Sequence, residues 1–197
     1  MGMTDSVADQ DLLRRMRSGD AQAFTTLYRR YQAALYRYAV LRCGSEAVAA
    51  DLVQEVFVGL MQDQYRFDPT LGQLQFFLFG VIRHLALKHD VQDRRYESIE
   101  PVGEDEQAED DVMCENATPL QQLLRNEMAE ELRIAIAALS SHYRDVLILF
   151  EIQELSYLEI AQICEINVGT VRSRLSRARQ ALAERLAAWQ PSLARTA

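Results

Sequence analysis

The stretch LSYLEIAQICEINVGTVRSRLSRARQALAERL, residues Leu155–Leu186, decides the fold class. Its first part, residues 156–163, has a helical apolar pattern, and residues 164–167 then break that pattern. A longer amphipathic run begins at Val168. A short helix, a turn and a second helix make the layout of a helix-turn-helix.

The second helix of this stretch is locally basic. On a helical wheel one narrow face holds Val171, Leu175, Ala178 and Leu182, while Arg172 and Arg179 flank it on one side, Arg174 and Arg177 flank it on the other, and Ser173, Ser176 and Gln180 lie opposite. No acidic residue occurs between Asn167 and Ala183, whereas a merely solvated helix usually mixes charge signs. The pattern therefore favours a helix that lies in the major groove of DNA over arginines that only keep a helix soluble.

The chain as a whole is acidic, with a formal net charge of -8, but the excess is confined to one segment. Residues 96–119 hold nine acids and no base, whereas the flanking parts are close to neutral. A like-charge block without an apolar stripe does not fold alone, so we interpret it as a flexible linker. The simplest role for such a segment is that of a solvated tether.

Composition excludes several classes of protein. The 197 residues include only 8 Gly and 4 Pro, which disfavours a turn-rich all-β fold. No apolar run approaches the roughly 18 residues of a membrane span, and the N-terminus lacks a signal-peptide layout, so we expect a cytoplasmic protein without membrane insertion. The cysteines, Cys43, Cys114 and Cys164, form neither a disulfide framework nor a metal-binding pair, and we expect no cofactor and no metal.

Apolar periodicity predicts helices along both flanking parts. We expect one from Asp20 to about Cys43, one that Ser45 caps, one over about Gln73–His89 and one over Leu120–Leu139. The predicted fold is all-α, with two small helical domains over residues 1–95 and 120–190, the acidic linker over 96–119 and a tail over 191–197.

Together, three separated motifs resemble the extracytoplasmic-function sigma factors. The helix-turn-helix stretch is similar to their region 4, and ADLVQEVFVGL at Ala50–Leu60 resembles the polymerase-binding helix of their region 2. RFDP at Arg66–Pro69, followed by FFLFGVIRHLAL at Phe76–Leu87, resembles the part of region 2 that meets melted promoter DNA. The resemblance implies an alternative sigma factor, which binds core RNA polymerase and promoter DNA and catalyses no reaction.

The resemblance also assigns roles to individual residues. The implied contacts to the β′ clamp helices of the polymerase are Asp51, Gln54, Glu55 and Val56. The implied contacts to the −10 element are Phe76, Phe77, Phe79, Arg83, His84 and Lys88. Aromatic rings can stack on unstacked bases, although one or two of these phenylalanines must belong to the core.

For the −35 element the implied contacts are Thr170, Arg172, Ser173, Arg174, Arg177 and Arg179. Region 4 is also expected to meet the β flap of the polymerase. The linker would thread the polymerase channel that RNA later occupies, as an acidic mimic of nucleic acid. Unchanged holoenzyme formation and early transcription after its acids are neutralised would exclude that role. An anti-sigma factor is a typical partner of the family.

The chain departs from the family pattern at the polymerase contact and in the turn of the helix-turn-helix. The family often has an Asp-Ala-Glu-Asp run where this chain reads Val48-Ala49-Ala50-Asp51, so two acids at the polymerase contact are missing. We hypothesise that a Ser/Thr kinase restores the charge at Ser45, Thr25 or Thr26. In the turn, Glu165 stands where Gly is usual and Asn167 where Pro is common, so we expect a strained or altered turn.

Two other functions remain open from the sequence. A stand-alone helix-turn-helix regulator would bind DNA without polymerase. A metal-dependent helical enzyme would use His84, His89 and His142, but their spacing does not form a convincing ligand set.

Overall fold

The structure, a computed structural model, describes residues 3–97 and 119–187. Its eight α-helices are α1 (Met3–Arg17), α2 (Ala21–Cys43), α3 (Glu46–Met61), α4 (Leu74–Glu97), α5 (Pro119–Ala137), α6 (Ser141–Glu151), α7 (Tyr157–Cys164) and α8 (Val168–Ala187). A short 3₁₀ helix, Pro69–Leu71, precedes α4, and the described residues contain no strand. The all-α prediction is confirmed. Most of the predicted linker and the whole predicted tail lie outside the described residues, as does Cys114.

Local capping explains where the helices of the N-terminal half begin and end. The Asp20 side chain accepts hydrogen bonds from the backbone N–H groups of Gln22 and Ala23, at 2.9 and 3.2 Å, and starts α2. Gly44 ends α2 with φ of 75°, a left-handed conformation that glycine adopts without a steric cost. Ser45 then caps α3. These three predictions are confirmed.

Two features of the N-terminal half were not predicted. Helix α4 extends to Glu97, eight residues beyond the expected end. Helix α1 has no counterpart in the sequence analysis, and it packs on α2 through buried Leu13 and Met16. Its buried Asp9 carboxylate accepts hydrogen bonds from Arg30 and from the Tyr31 hydroxyl, whose pKa is raised by burial.

The helix-turn-helix forms as predicted, and its turn has the expected unusual backbone. A capping box starts α7, because Ser156 and Glu159 bond each other's backbone N–H groups. Glu165 ends α7 with φ of 56° and ψ of 44°, so a residue with a side chain occupies the left-handed region. Asn167 accepts hydrogen bonds from the Thr170 backbone N–H at 2.7 Å and from its hydroxyl at 3.0 Å. The residue that replaces the common proline therefore caps α8.

Helices α1–α4, the N-terminal unit, and α5–α8, the C-terminal unit, share one hydrophobic core. Buried side chains from both units form a single connected cluster that runs from Leu13 to Ala178. Between the units, Asp145 of α6 lies among side chains of α2 and α4 and is 1% exposed. The two units are thus packed against each other rather than held only by the chain between them.

No helix in the described part of the chain has the length and apolar character that a membrane crossing needs.

Replacing Glu165 with glycine should stabilise the protein. A left-handed conformation costs a residue with a Cβ about 1–2 kcal/mol, and the greater freedom of glycine in the unfolded chain returns about half of that. We expect Glu165→Gly to raise the free energy of unfolding by about 0.5–1 kcal/mol in a urea titration. The matched control, Glu184→Gly inside α8, should lower it by about 1 kcal/mol. Equal losses in both variants would contradict a strained turn.

Candidate nucleic-acid interface

The outer face of α8 is polar and accessible. Val171, Leu175 and Ala178 anchor the helix in the core, as the wheel predicted. Among the predicted contacts to the −35 element, Arg172, Ser173 and Arg177 are exposed, whereas Thr170 and Arg174 are half-buried. This face presents short polar groups and cations together, which is the chemistry that base edges and phosphates accept.

Arg179 differs from the other arginines of α8 because it is used within the protein. Its guanidinium forms an ion pair with Glu151 at 2.6 Å and lies 5.1 Å from the centre of the Phe150 ring. The ion pair ties Arg179 to α6, but its side chain stays 50% exposed, so its role as a DNA contact stays a prediction. Arg177 makes only a long contact of 3.5 Å to the Tyr143 hydroxyl and stays exposed.

A cavity of about 880 Å³ lies where the loop before α4 meets α7. Four predicted contacts to the −10 element, Phe76, Phe77, His84 and Lys88, line it, and His84 and Lys88 are exposed. Phe77 is half-buried and lies 5.5 Å from Phe67, measured between ring centres. The cavity combines aromatic surface with basic groups, a combination that binds single-stranded nucleic acid.

The other predicted contacts to the −10 element have different surroundings. The Phe79 ring is 0% exposed and meets Tyr38 edge to face at 5.8 Å, so it is a core residue and its prediction as a base contact is not supported. Phe76 is 9% exposed, although it also lines the cavity. Arg83 donates a hydrogen bond to Asp145 at 2.9 Å and is largely covered.

The polar face of α3 is exposed as expected, with one exception. Asp51, Gln54 and Glu55 are accessible to solvent, but Val56 is 0% exposed. Val56 packs in the core and cannot touch a partner in this arrangement. The structure therefore does not support its prediction as a polymerase contact.

A second groove, of about 440 Å³, runs between α2 and α3 beside this polar face, and the sequence analysis missed it. Tyr28 on α2 is 38% exposed there, and Val58 and Met61 on α3 are 39% and 51% exposed. The groove is lined by Phe24, Tyr28, Gln32, Tyr36, Ala50, Val53, Gln54, Phe57, Val58 and Met61. The signal that could have revealed this groove is a series of side chains at intervals of four residues on one helix face: Phe24, Tyr28, Gln32 and Tyr36.

Comparison with known proteins identifies the family of this chain. The family model for Sigma-70 region 2 matches residues 27–96, and the model for Sigma-70 region 4 matches residues 129–182. The ECF RNA polymerase sigma-E factor of Escherichia coli is 31% identical over 185 residues, which cover 91% of this chain and 95% of the relative. The ECF sigma factor SigE of Mycolicibacterium smegmatis is 30% identical over 183 residues, which cover 91% of this chain and 69% of the relative.

The chain belongs to the ECF sigma factors.

Solved structures of this fold agree. CnrH, in a complex with the cytosolic domain of CnrY, has a TM-score of 0.65 and 24% identity, and the match covers 93% of this chain and 99% of CnrH. RpoE, in a complex with the anti-sigma factor NepR from Bartonella quintana, has a TM-score of 0.63 and 24% identity, and covers 86% and 100%. At these identities the likeness concerns the fold.

The sites of the phosphorylation hypothesis differ in exposure. In this ECF sigma factor Thr25 and Thr26 are exposed, and each hydroxyl donates to a backbone oxygen one turn earlier at 2.8 Å. Ser45 is half-buried because it caps α3. Of the two positions that lack an acid, Ala50 is exposed and Val48 is half-buried.

A metal centre finds no support in the part of the chain that the structure describes. No group of three or more His, Cys, Asp or Glu side chains there could hold a metal ion. His84 and His142 are exposed and lie on different helices.

Phe77 and Phe79 should respond differently to truncation. Phe79→Ala removes a fully buried ring and should lower the free energy of unfolding by about 3–5 kcal/mol, measured by thermal or urea unfolding. Phe77→Ala, at a half-buried position on the cavity, should cost clearly less stability and reduce promoter melting instead. Equal destabilisation by the two variants would contradict their assignment to different environments.

Proposed function

We propose that this chain binds core RNA polymerase and directs it to promoters as an alternative sigma factor. The observation that carries the proposal is the presence of the region 2 and region 4 matches in order on one chain. The polar face of α3, the cavity near α4 and the basic face of α8 lie within these matches. Each step in this role is a binding step, so the role requires no catalytic residue.

In this proposal the polymerase contact combines polar and apolar groups. Asp51, Gln54 and Glu55 form the polar part, and the adjacent groove with Tyr28 and Met61 supplies apolar surface. Fully desolvated aromatic side chains beside a polar rim are typical of residues that dominate protein–protein affinity. The β′ clamp helices are the partner that the family resemblance implies, and the β flap is the implied partner of the C-terminal unit.

The promoter contacts are divided between the two units. We assign the −10 element to Phe77, His84 and Lys88 at the cavity, with Arg83 once it is released from Asp145. We assign the −35 element to the outer face of α8, through Thr170, Arg172, Ser173, Arg174 and Arg177. The acidic segment between the units, whose central residues the structure does not describe, keeps its proposed place in the RNA channel.

Control by a partner or by a modification is part of the proposal. The structural neighbour RpoE was solved in a complex with the anti-sigma factor NepR, and this supports an anti-sigma factor as a partner of this chain. A kinase that phosphorylates Thr25 or Thr26 would add charge next to Phe24, which lines the groove of the proposed polymerase contact. Ser45 is the alternative site, since a phosphate there would lie at the N-terminus of α3.

Run-off transcription with bacterial core polymerase tests the function directly, and an α8 variant tests the promoter contact. The chain with core polymerase should yield transcripts from a subset of genomic fragments. Arg172→Ala should lower promoter binding by about tenfold, because one arginine contact is worth about 1–3 kcal/mol. The matched control Arg185→Ala removes the same charge from the exposed last turn of α8 and should change binding little.

Binding of promoter DNA by the chain alone, with no association with core polymerase in a pull-down, would favour the stand-alone regulator instead. Equal losses in Arg172→Ala and Arg185→Ala would show that only net charge matters.

Restoring an acid at the exposed position of the family motif tests the charge hypothesis without a kinase. Ala50→Glu should strengthen binding to core polymerase about fivefold, the effect of one favourable surface ion pair of about 1 kcal/mol. Ala33→Glu adds the same charge at an exposed position of α2 that does not line the groove, and it should have no effect. Equal affinities of wild type and Ala50→Glu would exclude the missing acid as a cause of weak binding.

A further inference from the structure

The carboxylate of Asp145 is buried between the two units. Although Asp145 belongs to the C-terminal unit, its hydrogen-bond donors belong to the N-terminal unit. Its Oδ1 accepts hydrogen bonds from the Tyr38 hydroxyl at 2.9 Å and from Arg42 Nε at 2.7 Å, both on α2. Its Oδ2 accepts one from Arg83 Nε at 2.9 Å, on α4. Burial raises the pKa of Tyr38 well above its ordinary value, so this hydroxyl stays protonated and donates. We call Asp145, Tyr38, Arg42 and Arg83 the latch.

Beside the latch, Arg42 forms a second ion pair, with Asp90 of the N-terminal unit. The remaining guanidinium nitrogens of Arg42, which is 0% exposed, donate to Asp90 at 2.6 and 3.2 Å. Asp90 pairs with Arg42 from within the N-terminal unit, whereas Asp145 on α6 supplies the acid shared by buried Arg42 and partly covered Arg83. If the units separated while Asp145 stayed away from water, its charge would be buried without a partner. The units therefore separate only if water enters and solvates the latch.

Polar side chains also join the units at backbone oxygens. Gln153 donates to the Ala34 carbonyl at 3.3 Å, and Gln162 of α7 donates to the Leu71 carbonyl. Gly72 permits the second contact, because a Cβ at this residue would lie 2.5 Å from the Gln162 amide nitrogen. Arg144 donates hydrogen bonds to the carbonyls of Arg42 in the N-terminal unit and of Leu139, which lies just after α5.

The closed arrangement places α7 against the proposed −10 site. Gln162, Ile163 and Glu165 line the same cavity as Phe77 and His84. Glu165 adds an acidic group to a site whose proposed ligand is a polyanion. Arg83, a proposed contact to the strand, is held by Asp145 at the same time. The cavity is thus partly covered by the unit that reads the other promoter element.

Distance shows that this arrangement cannot persist on a promoter. Elements centred at −10 and −35 are about 25 base pairs apart, which is about 85 Å along B-form DNA at 3.4 Å per pair. A compact chain of this length has a radius of gyration of about 16 Å, so it is only about 40 Å across. Because α7 touches the −10 cavity, the −35 helix that follows it cannot reach its element while the latch is closed.

We propose that the latch closes the polymerase-free protein into an autoinhibited state in which the C-terminal unit covers the −10 site. This inference rests on the proposed function, since it supposes that both promoter elements are bound together. The polar face of α3 and its neighbouring groove stay open in the closed state. Polymerase therefore docks first on α3, and opening of the latch then exposes the −10 site and releases α8 toward the −35 element.

Single-molecule energy transfer on the full chain tests the latch. Donor and acceptor dyes are attached at Ala33→Cys on α2 and Glu184→Cys on α8, which are exposed positions outside the proposed contacts. Cys114→Ser removes the cysteine outside the described residues. Burial raises the pKa of both Cys43 and Cys164 to about 11, so these thiols react slowly with a maleimide near neutral pH.

The free protein should show one high-transfer population, and the promoter-bound holoenzyme should show low transfer. Asp145→Asn keeps the shape of the side chain and removes its charge, so a low-transfer population should appear in the free protein. The double variant Gln153→Ala, Gln162→Ala should do the same without touching the buried charges, and it decides the question if Asp145→Asn does not fold. With either variant, half-maximal run-off transcription should be reached at about tenfold lower concentration of the variant protein than of the wild type. The reason is that less of the energy of binding to polymerase and promoter is used to open the latch.

Three results would overturn the latch: low transfer in the free wild-type protein, high transfer in the promoter-bound holoenzyme, or variants that stay in the high-transfer state. A wild-type protein that supports no transcription from any fragment would reject the proposed function instead. In that case the energy transfer of the free protein still reports whether Asp145 holds the two units together.

Discussion

A single buried carboxylate, Asp145, organises the relation between the two halves of this protein. A charge that is 1% exposed is tolerated only with several strong partners, and here these come from α2 and α4 rather than from its own unit. The surrounding apolar side chains then form one core instead of two. Packing and polar pairing thus favour the same closed arrangement, whereas the proposed binding of both promoter elements requires that it open.

The surfaces of the closed protein are unequally available. The polar face of α3 and the outer face of α8 are exposed, whereas the aromatic cavity before α4 is partly covered by α7. The first of these surfaces can meet a partner without any rearrangement, whereas α8 can reach a −35 element beside a bound −10 element only after the latch opens. In the proposed function the third surface acts later in initiation, when bases have been unstacked. The proposed order of binding steps therefore matches the order in which the surfaces become accessible.

Local features of the fold followed from the sequence because short-range chemistry determines them. The capping residues Asp20, Gly44 and Ser45 predicted the helix boundaries correctly. The polar and basic face of α8 is exposed, as the helical wheel predicted. Long-range pairing could not be predicted from helical periodicity. Arg179 contacts Glu151, 28 residues away, and Asp145 contacts Arg42, 103 residues away. Burial of Val56 and Phe79 likewise depends on which helix packs over them, and helical periodicity alone does not reveal this.

Differential scanning calorimetry of the wild-type chain and of Asp145→Asn tests the central claim most directly. If the carboxylate couples the two units into one core, the wild type unfolds in one transition whose calorimetric and van't Hoff enthalpies agree. Asp145→Asn should then show two transitions, because each unit unfolds independently. Two transitions in the wild type, unchanged by Asp145→Asn, would contradict the account.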